Sequence, residues 1–147
     1  MTEQSLHARR INEDVMQLCE CLDPEYPTLL CDVLTELSRL GEKATPALPE
    51  IVPLCFSADD KVRTRAIATL AEIRSRSESP VFVLMQALYD DCVDVRRYAA
   101  AGLALMSADD LQFSGLYQRL NYLVRHENDF YVREQLREML KTIIKKM

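Results

Sequence analysis

The chain has 147 residues, 48% apolar and 28% charged, with three glycines and a net charge of −5. That suffices for one domain with a sizeable core, is too apolar for a disordered segment and too poor in glycine for a turn-rich β fold. Residues 1–57 carry four Lys/Arg against ten Asp/Glu and residues 58–147 fourteen against thirteen, so no nucleic-acid partner is expected, since phosphate backbones are gripped by basic surfaces.

The longest apolar run, about eight residues from Ala99, is too short to span a bilayer, and the N-terminus lacks the pattern of a secretory leader. Five cysteines without a Cys-x-x-Cys suit small, reduced core residues in a cytoplasmic compartment. Cys19 and Cys21 point to nearly opposite sides of a helix and cannot share a metal.

The predicted elements come in pairs. INEDVMQLCECL from Ile11 precedes YPTLLCDVLTEL from Tyr26, and Gly41 stops that second helix. PALPEIVPLCF from Pro46 precedes VRTRAIATLAEI from Val62. Thr45 places a capping hydroxyl before Pro46, and Pro53 should kink its helix. PVFVLMQALYD from Pro80, capped in the same way by Ser79, precedes VRRYAAAGLALM from Val95. LYQRLNYLVRH from Leu116 precedes VREQLREMLKTI from Val132. The second segments start 36, 33 and 37 residues apart. Each repeats its apolar residues at about i+4, i+8 and i+11, one buried stripe on a helix. Asp60 and Asp94 stand where they can cap the following helix and favour its positive end, with Asp129 slightly earlier before Val132. The basic tail KTIIKKM complements the negative end of the last helix. SADD, at residues 57–60 and 107–110, marks helix starts in general and not the repeat register.

The expected fold is therefore all-α: about eight helices in four hairpins, forming one domain over residues 1–147. The repeats run approximately over residues 5–41, 45–76, 79–107 and 109–147. A period in the mid-thirties with two helices per unit indicates a solenoid.

PALPEIVPLCFSADDKVRTRAIATLAEI, from Pro46, resembles a HEAT repeat in its proline-rich first helix, short acidic turn, Asp-x-Val-Arg and small-apolar second helix. DCVDVRRYAAAGLALM, from Asp91, is similar to the second half of one. The resemblance is specific over residues 45–106 and weaker toward both ends. It implies a right-handed superhelix with the second helices lining a concave face. It also implies an inter-repeat ladder built from Asp60, Arg63, Asp94, Arg96 and Arg133.

Signatures of catalysis are missing: no Gly-rich phosphate loop, no Gly-x-Ser-x-Gly and no metal-spaced Cys/His set. No catalytic residue, metal ligand or cofactor is assigned. RHEN, at residues 125–128, contains one His-Glu pair, whereas the deoxyhypusine hydroxylases, which the fold resembles, bind iron through such pairs in several repeats. Its plainer reading is a cation near a helix C-terminus. HEAT-like phycobilin lyases would use arginines and a Tyr or Cys near a tetrapyrrole, for which Arg96, Arg97 and Tyr98 are available. HEAT-like DNA glycosylases need a basic groove and stacking aromatics, which this acidic, tryptophan-free chain lacks.

With Val62, Ala66, Leu70 and Ile73 as the buried stripe, the opposite side of that helix carries Thr64, Ala68, Ala71 and Ser75. The same places hold Thr28, Asp32, Thr35 and Arg39 in the first repeat. They hold Arg97, Ala101, Ala104 and Ala108 in the third, and Glu134, Glu138, Lys141 and Lys145 in the last. Small residues there would let a partner segment approach closely, with Arg65 and Arg97 placed to clamp a carboxylate on it. Alanine is also simply a good helix former that packs pairs tightly. Tyr89, Phe113, Tyr117 and Tyr122 are expected in the core, and Tyr131 exposed. The function these readings imply is a non-catalytic adaptor or scaffold holding a segment of another protein on the concave face. The alternatives are a subunit of a lyase-like enzyme, or an immunity or inhibitor protein masking a basic partner with the acidic first repeat.

Overall fold

A computed structural model of the chain describes residues 2–73, 78–107, 109, 111 and 115–147. Eight α-helices run through them: α1 (Glu3–Glu20), α2 (Pro27–Arg39), α3 (Leu48–Leu54), α4 (Asp60–Ile73), α5 (Glu78–Ala87), α6 (Val93–Ala104), α7 (Leu116–His126) and α8 (Phe130–Lys146). A 3-10 helix covers Gly41–Ala47. The described residues form no strand, and no helix among them is long and apolar enough to cross a membrane. The chain divides into two compact units, Met1–Ser75 and Arg76–Met147. The division falls between the second and third expected repeats.

In the first unit α4 packs against α2 and α3, while α1 lies mainly on the 3-10 helix. Leu30, Leu34 and Leu37 of α2 meet the inner face of α4, from Val62 to Ile73, in a core from which water is excluded. Full burial of each such aliphatic side chain contributes about 1.5–3 kcal/mol before entropy is counted. Thr69 is the buried polar residue of this core. Its hydroxyl lies 2.9 Å from the Leu34 carbonyl and 2.8 Å from the Arg65 carbonyl, so α4 is pinned to α2 as well as packed on it.

The entry to this unit differs from expectation in three places. Tyr26 does not begin the buried stripe of α2. It caps the helix and is 60% exposed, and the stripe starts at Leu30. The first intrahelical bonds accept at Tyr26, Asp59, Cys92 and Asp129, so the spacings by helix start are 33, 33 and 37. Thr45 does not cap α3. It lies inside the 3-10 helix and donates to the Glu42 carbonyl at 2.6 Å. The cause is Gly41, whose φ of +55° stops α2 and turns the chain directly into the tighter helix. Pro53 sits in the last turn of α3, which ends one residue later, because proline removes an amide that the helix would need.

In the second unit α5 packs on α6, α7 on α8, and α6 on α8. Val95, Ala99 and Leu103 of α6 and Val132, Leu136 and Met139 of α8 form its core with Leu84, Leu120 and Leu123 of the first helices and Leu88 just after α5. Tyr89, Tyr117 and Tyr122 are exposed rather than buried. Leu116, Leu120 and Leu123 already fill the inward face of α7, and a phenol keeps its hydroxyl in water when it can. Tyr131 is exposed, as expected. Phe113 lies outside the described residues, and Ser79 stands within α5 as described, not before it. All five cysteines carry free thiols. Burial pushes the Cys55 thiol up to about 12, so it is inert.

The register makes two predictions. Val95→Asp buries an unpaired carboxylate in the α6 stripe and should cost roughly 3 kcal/mol or more, abolishing a cooperative thermal transition followed by circular dichroism. Thr69→Val keeps the shape but loses the bond to the Leu34 carbonyl, and should lower stability by about 1 kcal/mol in urea titration.

Candidate functional site

The turn that joins the two helices of a repeat is built the same way three times. The arginine after the recurring valine folds back onto the turn carbonyls. Arg63 Nη1 donates to Ser57 O at 2.9 Å, Arg96 Nη1 to Asp90 O at 2.9 Å and Arg133 Nη1 to Glu127 O at 3.2 Å, each six residues back. Arg63 and Arg96 reach a second carbonyl as well, Ala58 O and Asp91 O. Those carbonyls follow the end of a first helix and lack helical partners, so the guanidinium closes the hairpin.

The residue supplying that first carbonyl also uses its side chain. Ser57 Oγ, Asp90 Oδ1 and Glu127 Oε1 accept from the amides of Asp59, Cys92 and Asp129, at 3.2, 2.9 and 2.8 Å. The helix caps are therefore Asp59 and Asp129, whose carboxylates accept from Val62 N and Val132 N, together with Cys92, which caps without a side-chain bond. Asp60 and Asp94 lie in the first turns of α4 and α6, not at the caps.

This corrects the ladder within the second unit. Arg96 donates through Nε to Glu127 Oε2 at 3.0 Å and through Nη2 to Glu127 Oε1 at 3.2 Å. The pair joins the third repeat to the fourth, with side chains 18% and 5% exposed. Beside it Arg97 reaches Asp129, Nη2 to Oδ2 at 2.6 Å, and only approaches Asp94, at 3.9 Å. The ladder acids are thus Glu127 and Asp129, and Asp94 is peripheral. Hydrogen bonds from Arg97 and the Val132 amide hold the Asp129 carboxyl down to about 2, and the same carboxylate raises the Arg97 guanidinium. Arg97 is therefore already engaged by Asp129. His126 of the His-Glu pair stacks on Tyr122 with ring centroids 4.0 Å apart, its Nδ1 2.7 Å from the Tyr122 carbonyl. Among the described residues no group of three His, Cys, Asp or Glu could hold a metal ion.

The second-helix faces differ between the units. On α4 Thr64 is half-buried and donates to Asp60 O at 2.7 Å, Arg65 is exposed, and Ala68 and Ala71 are buried at 9% and 8%. Those two alanines are packing residues. On α6 and α8 Ala101 is half-buried and Ala104 exposed. Glu134 pairs with Arg137, and Glu138 with Lys141 at 2.6 Å, each within one turn of helix. Ala104 and Glu138 come together in a cleft of about 90 Å³, with Leu103, Met106, Leu111 and Met139 among its lining. Ser75 and Ala108 lie outside the described residues. Glu127 and the apolar lining of this cleft escape a search by motif. The signal for Glu127 is the recurring acceptor, Ser57, Asp90 and Glu127, five residues before each valine.

Two outcomes follow. Glu127→Gln leaves the Arg96 guanidinium without its counter-charge in a part-buried site and should cost about 3 kcal/mol, read from urea unfolding. The Asp129 carboxyl sits below its unfolded value near 3.9, so its contribution is full above that value and lost as pH falls through about 2. Asp129→Asn should flatten the acid limb of the stability–pH curve over that window.

None of the curated proteins compared with the chain matches it. A family model of HEAT repeats matches residues 15–105, well over half of the chain and the stretch that contains two of the three arginine-closed turns, and the chain belongs to the HEAT-repeat family.

Proposed function

We propose that the protein is a non-catalytic adaptor that holds a segment of another protein on the exposed face of its second helices. HEAT repeats generally mediate protein–protein interaction. The observation that carries the finer reading is the cleft between α6 and α8. Its floor is Leu103, Leu111 and Met139, its wall is the single methyl of Ala104, and Glu138 and Thr142 stand at the rim. A volume of about 90 Å³ suits one aliphatic side chain of a bound segment. The small wall lets the backbone of that segment come close, and rim groups select orientation. Glu138 and Lys141 are held by a surface pair worth little by itself, so either can exchange its partner for a charge on the segment.

The test is an affinity capture with wild type, Ala104→Arg and the control Gln86→Ala, at an exposed position of α5, read by mass spectrometry with melting curves alongside. The expected result is a protein retained by wild type and control and lost by Ala104→Arg at unchanged melting temperature. Equal capture by all three proteins removes the cleft from the function.

A further inference from the structure

We infer that the chain carries both halves of an inter-repeat rung, one near each end of its sequence, and that two copies join head to tail by closing it: Asp23 of one copy on Arg133 of the next. In the Arg96 rung one guanidinium edge closes its own turn, and the other, Nε with Nη2, takes the Glu127 carboxylate of the following repeat. Arg133 holds the equivalent place in α8 and closes its own turn on Glu127 O. Among the described residues its other edge meets no carboxylate, and its buried Nε has no hydrogen-bond acceptor. A buried donor left unpaired is a standing cost.

The missing half lies in the first repeat. Asp23 Oδ1 accepts from Glu25 N at 2.9 Å. That is the same bond to the amide two residues on that Asp90 and Glu127 make, set one residue further from the helix cap. No cation among the described residues pairs with the Asp23 carboxylate. The third residue past the Tyr26 cap, which corresponds to the valine of the later repeats, is Leu29. It is 51% exposed, and Tyr26 beside it is exposed too. Ile144 of α8 is likewise exposed.

A second copy fits this edge better than an arbitrary acid for two reasons. Its carboxylate accepts from the amide two residues on, as the one Arg96 receives also does. The charges also oppose: residues 1–57 balance at −6, and α8 carries five Lys/Arg against two Asp/Glu. Seating the carboxylate takes a turn of the guanidinium that brings Nε out of its cover, in exchange for a bidentate, charge-assisted pair. Such a contact joins unlike surfaces and leaves each copy one further half-rung to offer.

Sedimentation velocity from micromolar to near-millimolar protein at low salt tests this with wild type, Asp23→Asn and Arg133→Gln. Asn keeps the turn bond, and melting curves report the fold of each variant. Wild type should gain mass with concentration, and each variant should associate at least about tenfold more weakly. Mixed, the two variants restore one intact rung, Asp23 of Arg133→Gln on Arg133 of Asp23→Asn, and should stop at a 1:1 dimer. A wild type that stays monomeric throughout overturns the inference. So does association that neither variant weakens, or a mixture that forms no dimer.

Discussion

The architecture depends on one side chain used twice. The arginine after the valine brings a forked donor to turn carbonyls that no helix satisfies, and so fixes how the two helices of a hairpin leave their turn. In the second unit its remaining edge, on Arg96, also takes the carboxylate of the following repeat. In Arg96 both uses are realised at once. Lysine, with a single compact ammonium, could not serve both.

Glu127 completes this arrangement from the other side. Its carboxylate takes two bonds from Arg96 and one from the Asp129 amide, so the same group orders its own turn and receives the neighbouring repeat. Asp129 does likewise with the Val132 amide and Arg97. Docking of repeats and capping of helices are therefore one network. A part-buried ion pair adds little net stability, but it penalises any register that leaves one partner alone.

The proposed binding face follows from what this network consumes. Arg97 is spent on Asp129, and the acids of α8 are met within their own helix. What is left for a partner is shape: a shallow apolar cleft beside Ala104, with exchangeable charges at its edge. The equivalent alanines of α4 are buried and offer no such opening.

Much of the fold was legible in the residues themselves. The stripe from Val62 is buried throughout and those from Val95 and Val132 over their first turns, as the 3.6-residue spacing requires, with Met106, Leu140 and Ile143 half-buried, and Gly41 ends α2 because its conformation suits few other residues. Periodicity describes the faces of one helix, and this is all it describes. Which acid answers Arg96 depends on a turn 31 residues away. Whether an alanine is wall or filler depends on what packs over it, which is why Ala71 and Ala104 read alike in sequence and differ in the fold. The helices, the inner face of α4 and the first turns of the inner faces of α6 and α8 were determined by the sequence alone. The rungs and the open cleft were decided by tertiary structure, since each is a contact between residues whose spacing along the chain carries no period.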